Sequence, residues 1–292
     1  MIITQLIGGL GNQMFQYAVG RNLSLRNNTT LNLDVSGFAN YRLHQGFELQ
    51  RVFGDRFEIA SPMNIRKVLG FQSSAIVRRI MSHGLFASLR GDNFITEPYF
   101  RYWSGINDLT KDCYLSGYWQ SEKYFDDIAS KIRADFTFQL PLENQNSEIV
   151  KQINQVNAVS LHIRRGDYAN NPKTTAIHGL CSLDYYLYSI KHMAEQIVHP
   201  YFFVFSDDIV WVRNNLKINF PHQYISHNQG QESYNDMRLM SMCKHHIIAN
   251  SSFSWWGAWL NANTNKIVIA PKQWFACKKD DSDLIPQNWL RI

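Results

Sequence analysis

The feature that most constrains the fold is a regular alternation of short apolar segments with longer amphipathic ones in the second half of the chain. The apolar segments are short and partly β-branched, as buried strands are: Val159–Ile163, Tyr201–Phe205, His246–Ala249 and Lys266–Ala270. The segments between them have helical periodicity, most clearly Leu183–Val198 and Gln231–Cys243. Strands and helices that alternate at this spacing predict an α/β domain with a parallel, doubly wound sheet.

The first half opens with a second strand–helix–strand unit. Its predicted elements are a strand Ile2–Ile7, a helix Met14–Asn27, a strand Thr30–Asp34, helical patches within Asn64–Met81, a strand Tyr114–Gln120 that runs into an aromatic turn, and a helix that starts at Ser121–Phe125. A chain of 292 residues suits two domains, and the polar segment Pro141–Asn146 indicates their junction. We therefore predict domains at residues 1–150 and 151–292.

Polar residues follow three of the predicted strands in the second half. They are Arg-Arg-Gly-Asp at 164–167, Ser-Asp-Asp at 206–208 and Asn-Ser-Ser-Phe-Ser at 250–254. In open α/β sheets ligands bind beyond the carboxyl ends of the strands. The sequence therefore predicts one ligand site that draws on all three segments.

The two arginines indicate an anionic ligand. Arginine's planar fork binds phosphate or carboxylate oxygens bidentately, and a cation beside a diphosphate leaving group stabilises the transition state more than the ground state. His162 and Asp167 would orient Arg164 and Arg165 or contact a nucleoside. The alternative is an arginine–aspartate pair that only holds a turn.

The other two segments also allow structural interpretations. Asp207 and Asp208 could hold Mg²⁺, could accept hydrogen bonds from the N1–H and N2 edge of guanine, or could cap a helix with Ser206. The hydroxyls of 250–254 could bind phosphate at a helix N-terminus or could be a plain capping motif. The helical spacing of Trp255, Trp256 and Trp259 favours a place in the core.

The glycine-rich segment Gly8–Gln13 matches neither GxGxxG nor a P-loop, because its glycine spacing differs and no GK[ST] follows. Its glycines still allow a ligand to approach the backbone closely, with the amides of Asn12 and Gln13 beside it.

Composition excludes several classes of protein. The net charge of +5 is too mild and too dispersed for a nucleic-acid binder, but suits an anionic substrate or the negative face of a membrane. The four cysteines form no CxxC pair, which predicts neither a zinc site nor a disulfide framework and suits a reducing cytoplasm. The N-terminus lacks a basic n-region and no apolar run approaches eighteen residues, so we expect a soluble or peripheral protein.

Together these motifs resemble those of bacterial α-1,2-fucosyltransferases. The similarity covers almost the full length in the right order and rests on Gly8–Tyr17, Gly117–Phe125, His162–Tyr168, Phe205–Asp208 and Ile248–Gly257. It implies the GT-B arrangement, with two Rossmann-like domains facing a cleft, an acceptor-side first domain and a donor-binding second domain. It also implies GDP-β-L-fucose as donor, inverting transfer to O2 of a terminal galactose, no cofactor and no metal, which argues against Mg²⁺ at Asp207 and Asp208.

The resemblance also implies roles for individual residues. Arg164 would contact the β-phosphate and, with Asn12, would act in catalysis. The predicted donor-binding residues are Gly9, Gly11, Gln13, His162, Arg165, Asp167, Ser206, Asp207, Asp208, Asn250, Ser251, Ser252, Phe253 and Ser254. The predicted acceptor-binding residues are Tyr118, Trp119 and Gln120. Inversion usually needs a general base, which an asparagine cannot be, so an Asp or Glu elsewhere or a late proton loss stay open.

The resulting hypothesis is a cytoplasmic galactoside α-1,2-fucosyltransferase for surface-polysaccharide or O-antigen synthesis. Its partners would be GDP-fucose and a terminal β-galactoside, which could be lipid-linked, with peripheral contact at the inner membrane and no nucleic acid. The alternatives are a transferase for another GDP-sugar or linkage and a non-catalytic nucleotide-sugar or glycan-binding protein.

Overall fold

The chain forms two compact units, each built on a parallel sheet. A computed structural model describes residues 1–39 and 44–292, without the side chains of Asp167 and Asn170. The first unit comprises Met1–Leu140 with Ser282–Leu284, and the second comprises Pro141–Asp281 with Ile285–Ile292. The chain therefore passes from one unit to the other three times, and neither unit is one continuous stretch.

The first unit has a four-stranded parallel sheet in the order β2-β1-β4-β3. Its strands are β1 (Ile2–Gln5), β2 (Leu31–Asp34), β3 (Phe94–Thr96) and β4 (Cys113–Ser116). Its α-helices are α1 (Leu10–Arg26), α2 (Leu49–Phe53), α3 (Pro62–Leu69), α4 (Ala75–Met81) and α5 (Ala129–Asp135). The predicted helix start at Ser121–Phe125 is wrong, because only a short 3-10 turn, Glu122–Tyr124, forms there.

Helix α1 begins four residues before the predicted Met14. Gly9 is its N-cap, and the backbone N–H groups of Asn12 and Gln13 both donate to the Gly9 carbonyl. Most of the glycine-rich segment is thus the first turn of a helix and not a loop. Gly20 lets α1 lie close to the sheet, since a Cβ there would be 2.2 Å from Thr4 Oγ1.

The second unit has a six-stranded parallel sheet in the order β10-β9-β8-β5-β6-β7. Its strands are β5 (Asn157–Ile163), β6 (Pro200–Ser206), β7 (His222–Ile225), β8 (His245–Ile247), β9 (Val268–Ala270) and β10 (Leu290–Arg291). Its α-helices are α6 (Asn144–Gln155), α7 (Gly166–Asn170), α8 (Pro172–His178), α9 (Leu183–Gln196), α10 (Ile209–Asn215), α11 (Tyr234–Met242) and α12 (Ser252–Leu260). Helix α6, which the predicted boundary at residue 150 would divide, lies wholly in this unit.

Helices cover both faces of the second sheet. Val159, Leu161 and Ile163 of β5 pack with residues of α9 and α10, whereas Ala158 on the opposite face packs with α6 and α11. Strands buried on both faces are nearly continuous apolar runs, which is why β5 and β6 could be predicted from sequence. The prediction of an α/β fold with parallel sheets is confirmed.

Within residues 1–39 and 44–292, no helix combines the length and the apolarity that crossing a bilayer requires.

Candidate functional site

The second sheet reverses its strand order between β5 and β8. The chain moves outward from β5 through β6 to β7, then returns to the other side of β5 and continues from β8 to β10. A crevice forms beyond the carboxyl ends of the two strands at such a switch point. Arg164 follows β5 and Asn250–Ser252 follow β8, while Ser206–Asp208 end the neighbouring β6 and begin the loop beyond it. The three predicted segments therefore lie at one edge of the sheet.

The carboxylate of Asp207 positions the first arginine. Its Oδ2 atom lies 3.0 Å from Arg164 Nη1, and its Oδ1 atom accepts a hydrogen bond from the Arg165 backbone N–H at 2.8 Å. A Cβ atom on Gly166 would lie 2.4 Å from Asp207 Oδ2, so only glycine leaves room for this carboxylate. The Arg164 guanidinium carbon also lies 5.3 Å from the centre of the Tyr168 ring. The Asp207 carboxylate and the Tyr168 ring thus contact the Arg164 guanidinium from two sides.

The second arginine packs against helix α10. Its guanidinium carbon lies 3.5 Å from the Trp211 ring centre, and its Nε atom lies 3.7 Å from Asp208 Oδ2. Asp208 also caps α10, because its Oδ1 atom accepts the Trp211 N–H at 3.1 Å. Of the alternatives that the sequence left open, helix capping is thus the role of Asp208, whereas Asp207 forms the ion pair with Arg164.

The two aspartates offer a poor cation site because each faces a guanidinium. Across the described residues, no group of three or more His, Cys, Asp and Glu side chains could hold a metal ion. Asp167 was predicted to take part in the site, but its side chain lies outside the described part of the chain.

His162 is a neutral imidazole at this edge. Burial and the nearby Arg164 lower the pKa of His162 to about 3, and the residue is 5% exposed. Its Nδ1 atom is buried without a hydrogen-bond partner among the described residues, and its ring centre lies 6.0 Å from that of Phe253. This ring can donate a hydrogen bond to a ligand or accept one from it, and it stays uncharged at neutral pH.

The segment 250–254 divides into structural and ligand-accessible parts. Asn250 is buried and its Nδ2 atom donates to the carbonyls of His178 at 2.8 Å and Trp274 at 3.2 Å. Ser254 is also buried and its hydroxyl donates to the Ser251 carbonyl. Ser251 is the N-cap of α12, yet its side chain makes no capping hydrogen bond, so the first N–H groups of α12, at Ser252 and Phe253, are suited to an anion.

The tryptophans of α12 lie in the core, as predicted. Trp255, Trp256 and Trp259 are at most 3% exposed, and their rings contact one another.

The first sheet has its own switch point, between β1 and β4, and two predicted segments meet there. Asn12, in the first turn of α1, accepts a hydrogen bond from Gln120 Nε2 at 2.7 Å. Gln16 donates to the Gly117 carbonyl at 3.1 Å and accepts the Ile7 N–H at 2.9 Å. The helix after β1 and the turn after β4 thus form one hydrogen-bonded cluster.

The side chain of Gln13 holds the backbone together. It is fully buried, donates to the carbonyls of Gly8 at 3.0 Å and Gly46 at 2.7 Å, and accepts the Glu48 N–H at 2.9 Å. Gly11 is buried in the first turn of α1. The contacts of Gln13 are thus all with backbone groups of the first unit, and they hold the fold together.

His44 lies close to the glycine-rich segment, and no sequence motif indicated this. A Cβ on Gly9 would lie 3.3 Å from the His44 ring, so the absence of a side chain at Gly9 leaves room for this histidine.

The three predicted acceptor residues have different surroundings, and Gln120 is 7% exposed with its amide bound to Asn12. Tyr118 is 39% exposed, whereas Trp119 is 0% exposed and packs edge-on against Tyr124. The prediction that Trp119 contacts the acceptor therefore disagrees with its burial in the core. Glu97, which sequence reasoning also missed, accepts the N–H groups of Tyr118 at 2.8 Å and Trp119 at 3.0 Å.

Comparison with known proteins identifies the family. The family model "Glycosyl transferase family 11" matches residues 1–292. The chain belongs to glycosyltransferase family 11. This family 11 enzyme is 40% identical to an alpha-1,2-colitosyltransferase of Escherichia coli, over 100% of this chain and 99% of that protein. It is 34% identical to the O-antigen biosynthesis glycosyltransferase WbnK of Escherichia coli, over 98% of this chain and 99% of that protein.

The fold of the family 11 enzyme is shared with a solved fucosyltransferase. The structure of NodZ alpha-1,6-fucosyltransferase soaked with GDP-fucose superposes with a TM-score of 0.51 at 13% identity, over 89% of this chain and 91% of that chain. At this identity the likeness shows the fold alone. Together with the family match, it makes the chain a glycosyltransferase with an α/β fold.

Proposed function

We propose that this glycosyltransferase moves L-fucose from GDP-β-L-fucose to O2 of a terminal β-galactose, with inversion and without a metal ion, in O-antigen or surface-polysaccharide synthesis. The α-1,2 linkage in the name of the 40% identical relative and the O-antigen role in the name of the 34% identical one support this proposal. The same colitosyltransferase supports a second candidate donor, GDP-linked colitose, which is L-fucose without its 3-hydroxyl group.

The observation that carries the proposal is the fixed guanidinium of Arg164 at the switch point of the second sheet. Its ion pair with Asp207 at 3.0 Å sets its position before a ligand arrives. Five N–H donors on a guanidinium are enough for a carboxylate and a phosphate together. As the bond from the sugar to the β-phosphate breaks, negative charge grows on the diphosphate, and a cation already in place stabilises it without reorganisation.

The remaining charges of the leaving group would meet the N-terminus of α12. The N–H groups of Ser252 and Phe253 and the hydroxyl of Ser251 would bind a phosphate there. Because fixed arginines and helix N–H groups supply the positive potential, the reaction would need no divalent cation.

We assign guanine recognition to Asp208 in preference to Asp207. Asp207 is engaged by Arg164 and the Arg165 N–H, whereas the Asp208 side chain is 40% exposed. A carboxylate pairs with the adjacent N1–H and N2 donors of guanine, whereas adenine presents an acceptor at N1. His162, neutral and with an unpaired Nδ1 atom, would add a hydrogen bond to the nucleoside.

We assign Asn12 an orienting role at the acceptor. Its amide is held by Gln120 at 2.7 Å and can bind a sugar hydroxyl, but it cannot take up a proton at neutral pH. Tyr118, whose ring is partly exposed, would pack against a sugar face.

The test is a transfer assay with GDP-fucose and with GDP-colitose against a panel of β-galactosides. Product linkage is read by NMR, and GDP release is measured with and without acceptor. We expect an α-1,2 product, a higher kcat/KM with GDP-fucose, unchanged activity after exhaustive chelation, and stronger inhibition by GDP than by ADP or UDP. A preference for GDP-colitose would select the second candidate. GDP release from neither donor would indicate a binding protein and would contradict both.

A further inference from the structure

An unusually apolar and basic surface lies on the first unit, along the segment from Pro62 to Arg90. We call it the 62–90 face. Five of its large apolar side chains are 60–89% exposed: Met63, Phe71, Ile76, Leu85 and Leu89. Single exposed apolar residues are ordinary, but five within one segment indicate a surface that binds something.

The backbone that presents these side chains is anchored. Ile65, Val68 and Leu69 of α3 pack into the core of the first unit, so the opposite side of this helix faces outward. In α4, Arg78 is buried and its Nη2 atom lies 3.3 Å from Asp34 Oδ2. Beyond α4, Arg90 donates to the carbonyls of Met81 and His83. The exposed apolar side chains therefore belong to a fixed surface.

The charge of this surface has one sign. The segment contains five Lys and Arg residues and no Asp or Glu, and the rest of the chain has equal numbers of both signs. Arg78 and Arg90 are used as anchors, whereas Arg66, Lys67 and Arg79 are exposed. These three cations lie three or four positions from Met63, Phe71 and Ile76 in the sequence. The exposed side of this segment thus combines three cations with five exposed apolar side chains and carries no acidic residue of its own.

We propose that the 62–90 face docks on an anionic lipid bilayer. Apolar side chains that enter the interface, interleaved with cations that meet lipid phosphates, are what a peripheral membrane surface requires. A second copy of the chain fits this surface less well. A two-fold interface would place the same cations opposite one another with no acidic residue of the segment between them.

A cavity that could bind a glycan lies beside the 62–90 face. It has a volume of about 700 Å³ and is lined by Ser82, Gly84 and Arg90 of the face and by Thr96, Glu97 and Trp103 beyond it. Polar groups beside an aromatic ring suit a glycan. An acceptor attached to a membrane lipid would reach this cavity along the docked surface. This last step rests on the proposed function, whereas the docking itself does not.

The experiment is flotation of the full-length protein with vesicles of phosphatidylglycerol and phosphatidylcholine, and with vesicles of phosphatidylcholine alone. The charge variant is Arg66→Glu/Lys67→Glu/Arg79→Glu. Its matched control, Lys131→Glu/Lys151→Glu/Lys191→Glu, makes the same change in net charge at exposed sites elsewhere. Each cation at an anionic surface raises binding about fivefold, so loss of the three cations alone should weaken binding by roughly a hundredfold, and the three new carboxylates should weaken it further. We expect the control to lose far less.

The apolar contribution is tested separately with Phe71→Ser/Leu85→Ser against Leu187→Ser/Val198→Ser, a pair of exposed apolar residues in the second unit. We expect only the first pair to weaken vesicle binding. Transfer to a soluble β-galactoside, or the unfolding transition if no transfer is found, checks that every variant is folded. Equal vesicle binding by the charge variant and its control would overturn the proposal. So would a dimer of the wild type, in the absence of lipid, that the Phe71→Ser/Leu85→Ser variant abolishes.

Discussion

Asp207 determines the geometry at the end of β5 through three separate contacts. Its carboxylate binds the Arg164 side chain and the Arg165 N–H, and it occupies the space that a side chain at Gly166 would need. An arginine, a glycine and an aspartate from two neighbouring strand ends thus depend on one another. Removing any one of them should disturb the other two.

Replacing Arg164 should lower kcat more than it weakens donor binding. The contact is strongest when charge has built up on the diphosphate, so we expect Arg164→Ala to cost about 3 kcal/mol, roughly a hundredfold or more in kcat. Arg164→Lys should recover only part of this loss, because an ammonium lacks the planar fork. Steady-state kinetics with varied donor measures both quantities. Near-normal kcat with a raised KM would show that the contact binds the ground state equally well.

The two aspartates should respond differently to the same substitution. Asp207→Asn removes the charge that holds Arg164, so we expect kcat to fall and the loss to be non-additive with Arg164→Ala in a double-mutant cycle. Asp208→Asn keeps a good N-cap for α10, so we expect little loss of stability but weaker discrimination of GDP from ADP. Kinetics and inhibition by both nucleotides test this. Additive effects of the Asp207 and Arg164 changes would argue against the positioning role.

At the scale of elements, the strands that sequence could predict are the central ones and a single edge strand, β2. Strands β5 and β6 are buried on both faces and are apolar almost throughout, so their pattern is unmistakable. The strands β3, β7 and β10 were not predicted, and each lies at the edge of its sheet. These three strands span only two to four residues and are covered less completely than central strands, so they leave little trace in the sequence. The edge strand β2 is equally short, but it was predicted as the last element of the opening strand–helix–strand unit.

The position of the candidate site could be predicted from the sequence, but which of its side chains bind a ligand and which hold the backbone could not. Alternating strands and helices predict a parallel sheet, whose strands end at the same edge, which is why the segments after β5, β6 and β8 come together. Whether an amide binds a ligand or the backbone does not show in a sequence. Gln13 and Asn250 were predicted to bind the donor, yet both hold neighbouring backbone carbonyls. Their partners, Gly46 and His178, are distant in sequence and carry no motif.

The close contact of α1 with its sheet should be sensitive to one methyl group. In Gly20→Ala the new Cβ would lie 2.2 Å from Thr4 Oγ1 and 2.7 Å from Leu31 Cδ1. We expect a loss of about 1–3 kcal/mol in the free energy of unfolding, which exceeds the gain in helix propensity. Gly84→Ala is the control, because nothing lies within 4 Å of its added Cβ. Urea unfolding of both variants provides the comparison, and equal stability would show that α1 can shift.

For the whole molecule, we expect the free energy of unfolding to fall with acidification below about pH 6.5. Burial lowers the pKa of His162 to about 3 and that of His246 well below its ordinary value. The unfolded chain therefore binds protons that the folded one does not. The stability that these histidines contribute is fully present above the pKa that they have in the unfolded chain. It is lost as the pH falls from there toward their pKa in the folded protein, by about 1.4 kcal/mol per pH unit for each histidine.

Asp236 opposes this trend and provides a test of the sign. Burial raises its pKa to about 7, so its contribution is present at low pH and is lost as pH rises through that value. Asp236→Asn keeps an oxygen for the Asn228 amide, which donates to Oδ1 at 2.8 Å, but it removes the titration. We expect the variant to lose stability more steeply than the wild type between about pH 7 and pH 5 in urea unfolding. Parallel curves would contradict the raised pKa.

The three passages of the chain between its units constrain how this enzyme can be recombined. The first unit includes Asp283, whose carboxylate accepts the Tyr102 N–H at 3.1 Å and whose carbonyl accepts the Ser121 hydroxyl at 2.7 Å. The second unit takes its edge strand β10 from the residues that follow. A chimaera made by a single crossover near Leu140 would combine the first unit of one parent with a foreign Ser282–Leu284 segment. Exchange of donor or acceptor specificity between homologues by gene shuffling therefore needs three crossovers to keep both units native.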